Sequence, residues 1–331
     1  KAADAHVTVE EHVAPIVEFK AWGATFNELD WDALGMLTRD EQDEILKNVF
    51  SPEGDLRISR GRISMNANDY ARSWYSCDEV AGDLELRYFN INQSIIPFIR
   101  AAQKYNPGLT FWTSPWCPPS WMKITGDYPV LSSKFNHMPE KMNYILYGNV
   151  NDKVDPDEMK LVGRRGDKFP RQLATTDYFI QDPRYLQAYA NYFCKFIDAY
   201  KEQGVNIDMV IYQNEAYSYT PYPGCAWTAE GTVRFNRDYL GPTLRQKHPE
   251  VKLYLGTFNT NRVDYVQKIA SDTKLQEYVS GMAFQWEGRE SLPVLRKEHP
   301  EWNYMCSESE CGWGSFDWGA GEHTFELMNH Y

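Results

Sequence analysis

What most narrows the folds open to this chain is a recurring alternation. A short run of β-branched and aromatic residues is followed by a turn signal and then by a longer run with helical spacing of its apolar positions. Repeated strand-then-helix patterns are the mark of βα units and of a parallel sheet. Seven such units can be laid along the 331 residues. The predicted strands are 17–26, 58–65, 109–115, 208–213, 251–257, 279–286 and 303–307, and the predicted helices are 38–50, 94–104, 183–203, 228–247, 262–273 and 291–298, with a last one starting near Glu322. Local signals fix several ends. Thr38-Arg39-Asp40-Glu41 reads as a capping box ahead of an apolar run, and Asn106-Pro107-Gly108 reads as a helix stop. Pro183 opens a helix that Gly204 closes.

Between Trp116 and Asp182 the pattern gives way to a segment rich in Gly, Pro, Asn, Lys and Asp, far longer than an ordinary βα loop. Loops at the C-terminal face of a barrel commonly build the binding cleft. A barrel closes when its last strand pairs with its first, because an open sheet leaves two unpaired edges. Seven strands and a stop at Tyr331 within a helical pattern give the expectation of an α/β chain, a (β/α)8 barrel cut short after its seventh strand and the start of the following helix. The expected domains are residues 18–331 for the barrel and 1–17 for an N-terminal segment, in which 7–17 reads as an outer strand of an accessory sheet.

Composition excludes some functions. A formal net charge of −12 lacks the concentrated positive field that nucleic acid or an anionic membrane surface requires, and it suits a neutral substrate. No stretch approaches the ~18 apolar residues of a membrane span. The six cysteines show neither CxxC nor Cys/His ligand spacing, so a zinc site is not expected and buried free thiols are. No metal or other cofactor is implied. Aromatic residues make up 15% of the chain, with 11 Trp and 22 Tyr. Flat rings with a polar tip match the C–H faces and hydroxyl rims of sugars, but most such rings fill cores, so position must decide.

Two carboxylates fall at strand C-terminal ends, where barrels place catalytic groups: Glu215 in Gln213-Asn214-Glu215 and Glu308 in Cys306-Ser307-Glu308. Retaining glycoside hydrolysis needs one protonated carboxyl to donate to the leaving oxygen and one ionised carboxylate to attack, ~5–5.5 Å apart. Either glutamate alone reads as a solvated loop charge; the pair after strands four and seven does not. Asn214 can hydrogen-bond a sugar 2-hydroxyl. Glu310, two residues from Glu308, shares its face if the strand persists, so alternation alone leaves it a rival nucleophile. His137 and His323 could line the cleft, although lone loop histidines are more often solvated.

The ordered motifs resemble glycoside hydrolase family 30, which includes glucosylceramidases and β-1,6-glucanases. They are Ala21-Trp22-Gly23-Ala24-Thr25-Phe26-Asn27-Glu28, Arg62-Ile63-Ser64-Met65 with Asp69, Thr113-Ser114-Pro115-Trp116-Cys117-Pro118-Pro119-Ser120-Trp121-Met122-Lys123, Gln213-Asn214-Glu215 and Ser307-Glu308. The resemblance implies a retaining β-glycosidase with Glu215 as general acid/base and Glu308, rather than Glu310, as nucleophile. It implies that Asp69, Trp116, Asn214 and Trp286 line the subsite nearest the scissile bond, with Trp121 and Gln285 completing the candidate set. The implied substrate is an oligosaccharide, polysaccharide or glycoconjugate. The implied setting is secreted, periplasmic or cell-surface, with a C-terminal β-sandwich flanking the barrel. Gln285 stands where human-type glucosylceramidases carry histidine, so their preference does not transfer directly. The alternatives are a β-fucosidase, β-xylosidase or β-galactanase of the family, a carbohydrate-binding barrel without turnover, and an acid-dependent barrel enzyme of another kind.

Overall fold

The computed structural model describes residues 19–139, 175–309, 315 and 317–330. Its centre is one sheet of seven parallel strands in sequence order: β1 Gly23–Phe26, β2 Arg60–Met65, β3 Thr110–Pro115, β4 Ile207–Ile211, β5 Lys252–Phe258, β6 Val279–Gln285 and β7 Asn303–Glu308. Every neighbouring pair is parallel, and helices cross between most of them. The expected units are all present. The proposed strand at 7–17, the segment 140–174, Glu310 and Cys311 lie outside the described residues.

Alternation along β2 sorts its side chains. Ile63 and Met65 are fully buried in the large core between sheet and helices, while Arg60, Arg62 and Ser64 face the other way. That other side holds a small apolar cluster of Trp112, Met209, Ile211, Tyr254 and Ala283, with Met305 against it. It is the filled interior of a barrel. Space there is tight: a Cβ on Gly281 would sit 2.3 Å from the backbone oxygen of Asn303 and 2.7 Å from the Tyr254 ring. A flat sheet would put β2 and β7 five strand spacings, about 24 Å, apart. Arg62 on β2 instead meets Glu308 on β7 at 2.7 Å, so the sheet is strongly curled.

The capping box forms as expected, with Thr38 N–H donating to Glu41 Oε2 at 2.8 Å at the head of helix Arg39–Phe50. Other expectations are refined. Helix Glu28–Gly35 has no side-chain cap and gave no clear sequence signal. Its buried Glu28 is held by distant groups, Ser94 Oγ at 2.6 Å and the Arg72 backbone N–H at 3.1 Å. The run expected at 228–247 is helical throughout but widens into a π turn at Asn236–Leu240, because Pro242 has no N–H for the preceding turn. The 262–273 helix is two pieces, Val263–Ala270 and Thr273–Gln276, and the last helix starts earlier than expected, Trp318–His330. Of the described cysteines Cys77, Cys117, Cys194 and Cys225 are buried, whereas Cys306 on β7 is exposed. Among the described residues, no helix is long and apolar enough to cross a membrane.

Candidate active site

The site is built at the C-terminal ends of the strands around one buried cation. Arg62 is 2% exposed, and its guanidinium lies 4.1 Å from the Trp116 ring centre and 4.7 Å from that of Trp112. Nη1 donates to Glu308 Oε2 at 2.7 Å; Nη2 donates to Asn214 Oδ1 at 2.6 Å and to Ser114 Oγ at 3.0 Å. A charge this deep is tolerable only when paired and hydrogen-bonded, and the planar fork of arginine meets both partners at once. The guanidinium pKa is drawn down by burial and held up by Glu308.

Gln213-Asn214-Glu215 follows β4 and is stitched to both neighbouring strand ends. Asn214 N–H donates to Pro115 O at 2.7 Å, Thr257 N–H to Gln213 O at 2.8 Å, and Thr257 Oγ1 lies 3.0 Å from the Glu215 N–H it accepts. Gln213, fully buried, donates through Nε2 to Trp116 O at 2.7 Å and accepts from Trp227 Nε1 at 3.3 Å. These bonds hold Glu215 at φ 47°, a conformation costly for a residue with a Cβ and common at functional sites. Trp286, just past β6, has φ 53°.

Glu215 accepts from Gln285 Nε2 at 2.7 Å. Burial first, and then the negative charge of Glu308, push its carboxyl up to about 7, opposed by hydrogen bonds from Ser218 and Gln285 and by the charge of Arg62. The two glutamates therefore share one field, and Gln285 and Glu308 are register partners on β6 and β7. Asp69 lies on the turn after β2 with its carboxyl turned into the site; desolvation there and the charge of Glu308 raise it, against a backbone hydrogen bond and Arg62.

Seven of the eight sequence candidates thus stand at one end of the sheet: Glu215, Glu308, Asn214, Gln285, Trp116, Asp69 and Trp286. Trp116 is 6% exposed, with a face occupied by Arg62. Trp286 is half-buried at the end of β6. Trp121 is turned to the scaffold, its Nε1 donating to Asp78 O at 2.9 Å and its ring against Tyr185. His137 is exposed on the segment after β3. Arg62 stands outside the sequence candidates, although it heads the Arg62-Ile63-Ser64-Met65 motif on β2. Ser218 and Thr257 carry no local signal, and Ser307 is visible only as a member of the Ser307-Glu308 motif.

Fold and geometry define the class: a (β/α)-barrel with a pair of interacting glutamates at the ends of β4 and β7. The model of the glycosyl hydrolase family 30 TIM-barrel domain matches residues 19–134 and 179–327, and the chain belongs to that family. It is 27% identical over 262 residues to the lysosomal acid glucosylceramidase of Mus musculus, covering 76% of this chain and 42% of that protein. It is 24% identical over 284 residues to the endo-1,6-beta-D-glucanase neg1 of Aspergillus fumigatus, covering 84% of this chain and 50% of that protein. Among solved structures, SrfJ from Salmonella typhimurium superposes with a TM-score of 0.72 at 18% identity, covering 95% of this chain and 61% of that one, a likeness of fold. The chain spans about half the length of the curated relatives it matches.

Proposed function

We propose that this chain carries the catalytic site of a retaining β-glycosidase acting on β-linked glucosides, with Glu215 as general acid/base and Glu308 as nucleophile. The observation that carries this reading is the unequal setting of the two carboxylates: Arg62 is a direct counter-ion for Glu308, while Glu215 is raised to about 7 by burial and by Glu308. A pair in which one carboxyl is kept protonated beside a charged partner is what double displacement requires. In the first step Glu308 attacks the anomeric carbon, the glycosidic bond breaks, and the proton of Glu215 goes to the leaving oxygen. In the second, water attacks the same carbon, its proton passes to Glu215, and the bond to Glu308 breaks. Glucose is favoured as the sugar because the relatives above are named for glucosylceramide and for 1,6-β-glucan.

Leaving-group dependence tests the assignment. Glu215→Gln should slow phenyl β-D-glucoside by about 100- to 10,000-fold in kcat/KM while sparing 2,4-dinitrophenyl β-D-glucoside, whose departure needs no proton. Equal losses on both would remove Glu215 from its role. Proton NMR of the first-formed sugar should show the β anomer; the α anomer would indicate inversion.

A further inference from the structure

Glu215 is held by two neutral donors, and each is itself turned by a second residue. Gln285 is fully buried at the end of β6. Its Oε1 accepts from Ser307 Oγ at 3.1 Å, and its Nε2 faces Glu215 Oε1 at 2.7 Å and Asn214 Oδ1 at 3.4 Å. An amide can rotate to exchange its oxygen and nitrogen, so its neighbours decide which end points where. Asn214 Oδ1 already accepts from Arg62 at 2.6 Å and from Thr257 Oγ1 at 3.2 Å. A Gln285 oxygen turned that way would face two oxygens. The nitrogen is therefore fixed toward Glu215, and at the other end Oε1 meets the hydroxyl of Ser307, next to the nucleophile in sequence, whose single hydrogen is shared with Phe284 O, also at 3.1 Å. Ser218, whose N–H donates to Glu215 O at 2.9 Å, has an Oγ that accepts from Asn259 Nδ2 at 2.8 Å; its single hydroxyl hydrogen thus stays available to the Glu215 carboxyl, which Ser218 draws down.

We propose that Gln285, turned by Ser307 and Asn214, and Ser218, turned by Asn259, are positioning residues that favour the charged form of Glu215 and so serve the half of the cycle in which it acts as base. Burial and Glu308 favour the acid form needed for the first step. Once Glu308 is esterified to the sugar its charge is gone, and the two neutral donors are what remains, with Arg62, to hold Glu215 as a carboxylate while water attacks. Neither donor titrates, so neither adds a limb of its own to the pH profile. The inference rests on the assignment of Glu215 above.

The test uses the full-length protein and 2,4-dinitrophenyl β-D-glucoside, for which the first step needs no proton and kcat reports hydrolysis of the glycosyl-enzyme. Gln285→Leu should lower kcat about tenfold, part of the ~100- to 10,000-fold that general acid–base catalysis contributes, and leave kcat/KM within about twofold. The acidic limb of kcat should move to higher pH. Ser307→Ala and Ser218→Ala, each deleting one hydroxyl, should shift the same limb less and serve if Gln285→Leu folds poorly. Parallel falls in kcat and kcat/KM with an unmoved acidic limb in all three variants would show that these residues only support the fold. Glu215→Ala is the control: loss of kcat that azide restores, as expected, upholds the base assignment. An unaltered kcat would sink that assignment and this inference with it.

Discussion

Glu215 is the residue on which pH acts. With its carboxyl raised to about 7, kcat/KM for a glucoside with a poor leaving group should fall as pH rises through about 7, because the acid form is lost. A folded value above the unfolded range of ~4.3 also means that the stability linked to its protonation is fully present below that range and disappears as pH rises through about 7. Glu215→Gln, which never ionises, should accordingly raise the melting temperature at pH 8 by about 2–4 °C, the effect of ~1 kcal/mol in a domain of a few hundred residues, and by less at pH 5. A gain that is the same at both pH values would show that burial of its charge is not what the fold resists. The sequence made Glu215 a candidate through its place after a strand. A raised carboxyl follows already from the pairing with Glu308 after strands four and seven, but its leading cause is burial, and the walls that bury it come from other strands and are not legible locally.

The elements were the most readable level. Thr38-Arg39-Asp40-Glu41 was recognisable because a capping box lies within four residues, and both of its reciprocal bonds are present. Thr38→Ala should cost about 1 kcal/mol in a urea melt, with catalysis unchanged. Gly281 is the opposite case. Nothing beside it in sequence shows that Asn303 and Tyr254 close over its Cα. Gly281→Ala forces backbone atoms apart and should cost at least the ~1–3 kcal/mol of an overpacked core. A variant as stable as the parent would mean that β6 and β7 can separate freely. Helix Glu28–Gly35 has no local signature for the same reason: its buried glutamate is satisfied by Ser94 and the Arg72 backbone, groups brought in by the loop after β2.

Across the whole molecule, Arg62 ties the second strand to the seventh through the interior. Replacing it with methionine roughly keeps the volume but leaves Glu308 without its counter-ion and removes the shorter of the hydrogen bonds to Asn214 Oδ1, that of Thr257 remaining. Breaking a buried ion pair costs ~3–5 kcal/mol; since Glu308 is 34% exposed, the lower end or less applies. Arg62→Met should therefore lower stability and speed amide hydrogen exchange in 303–308 more than in β3 or β4. Unchanged protection of 303–308 would mean that strand pairing alone holds β7.

The sequence by itself determined the order of strands and helices, their parallel arrangement and the placing of Glu215 and Glu308 at strand ends, because helix caps, stop signals and apolar periodicity act over a few residues. Tertiary structure alone decided that Arg62 stands between Glu308 and Asn214, that Trp121 is turned to the scaffold, and that Gln285 presents its nitrogen to Glu215. Each of these depends on how far the sheet curls, which sets distances between residues remote in sequence, and on which hydrogen-bond acceptors are already occupied when they meet.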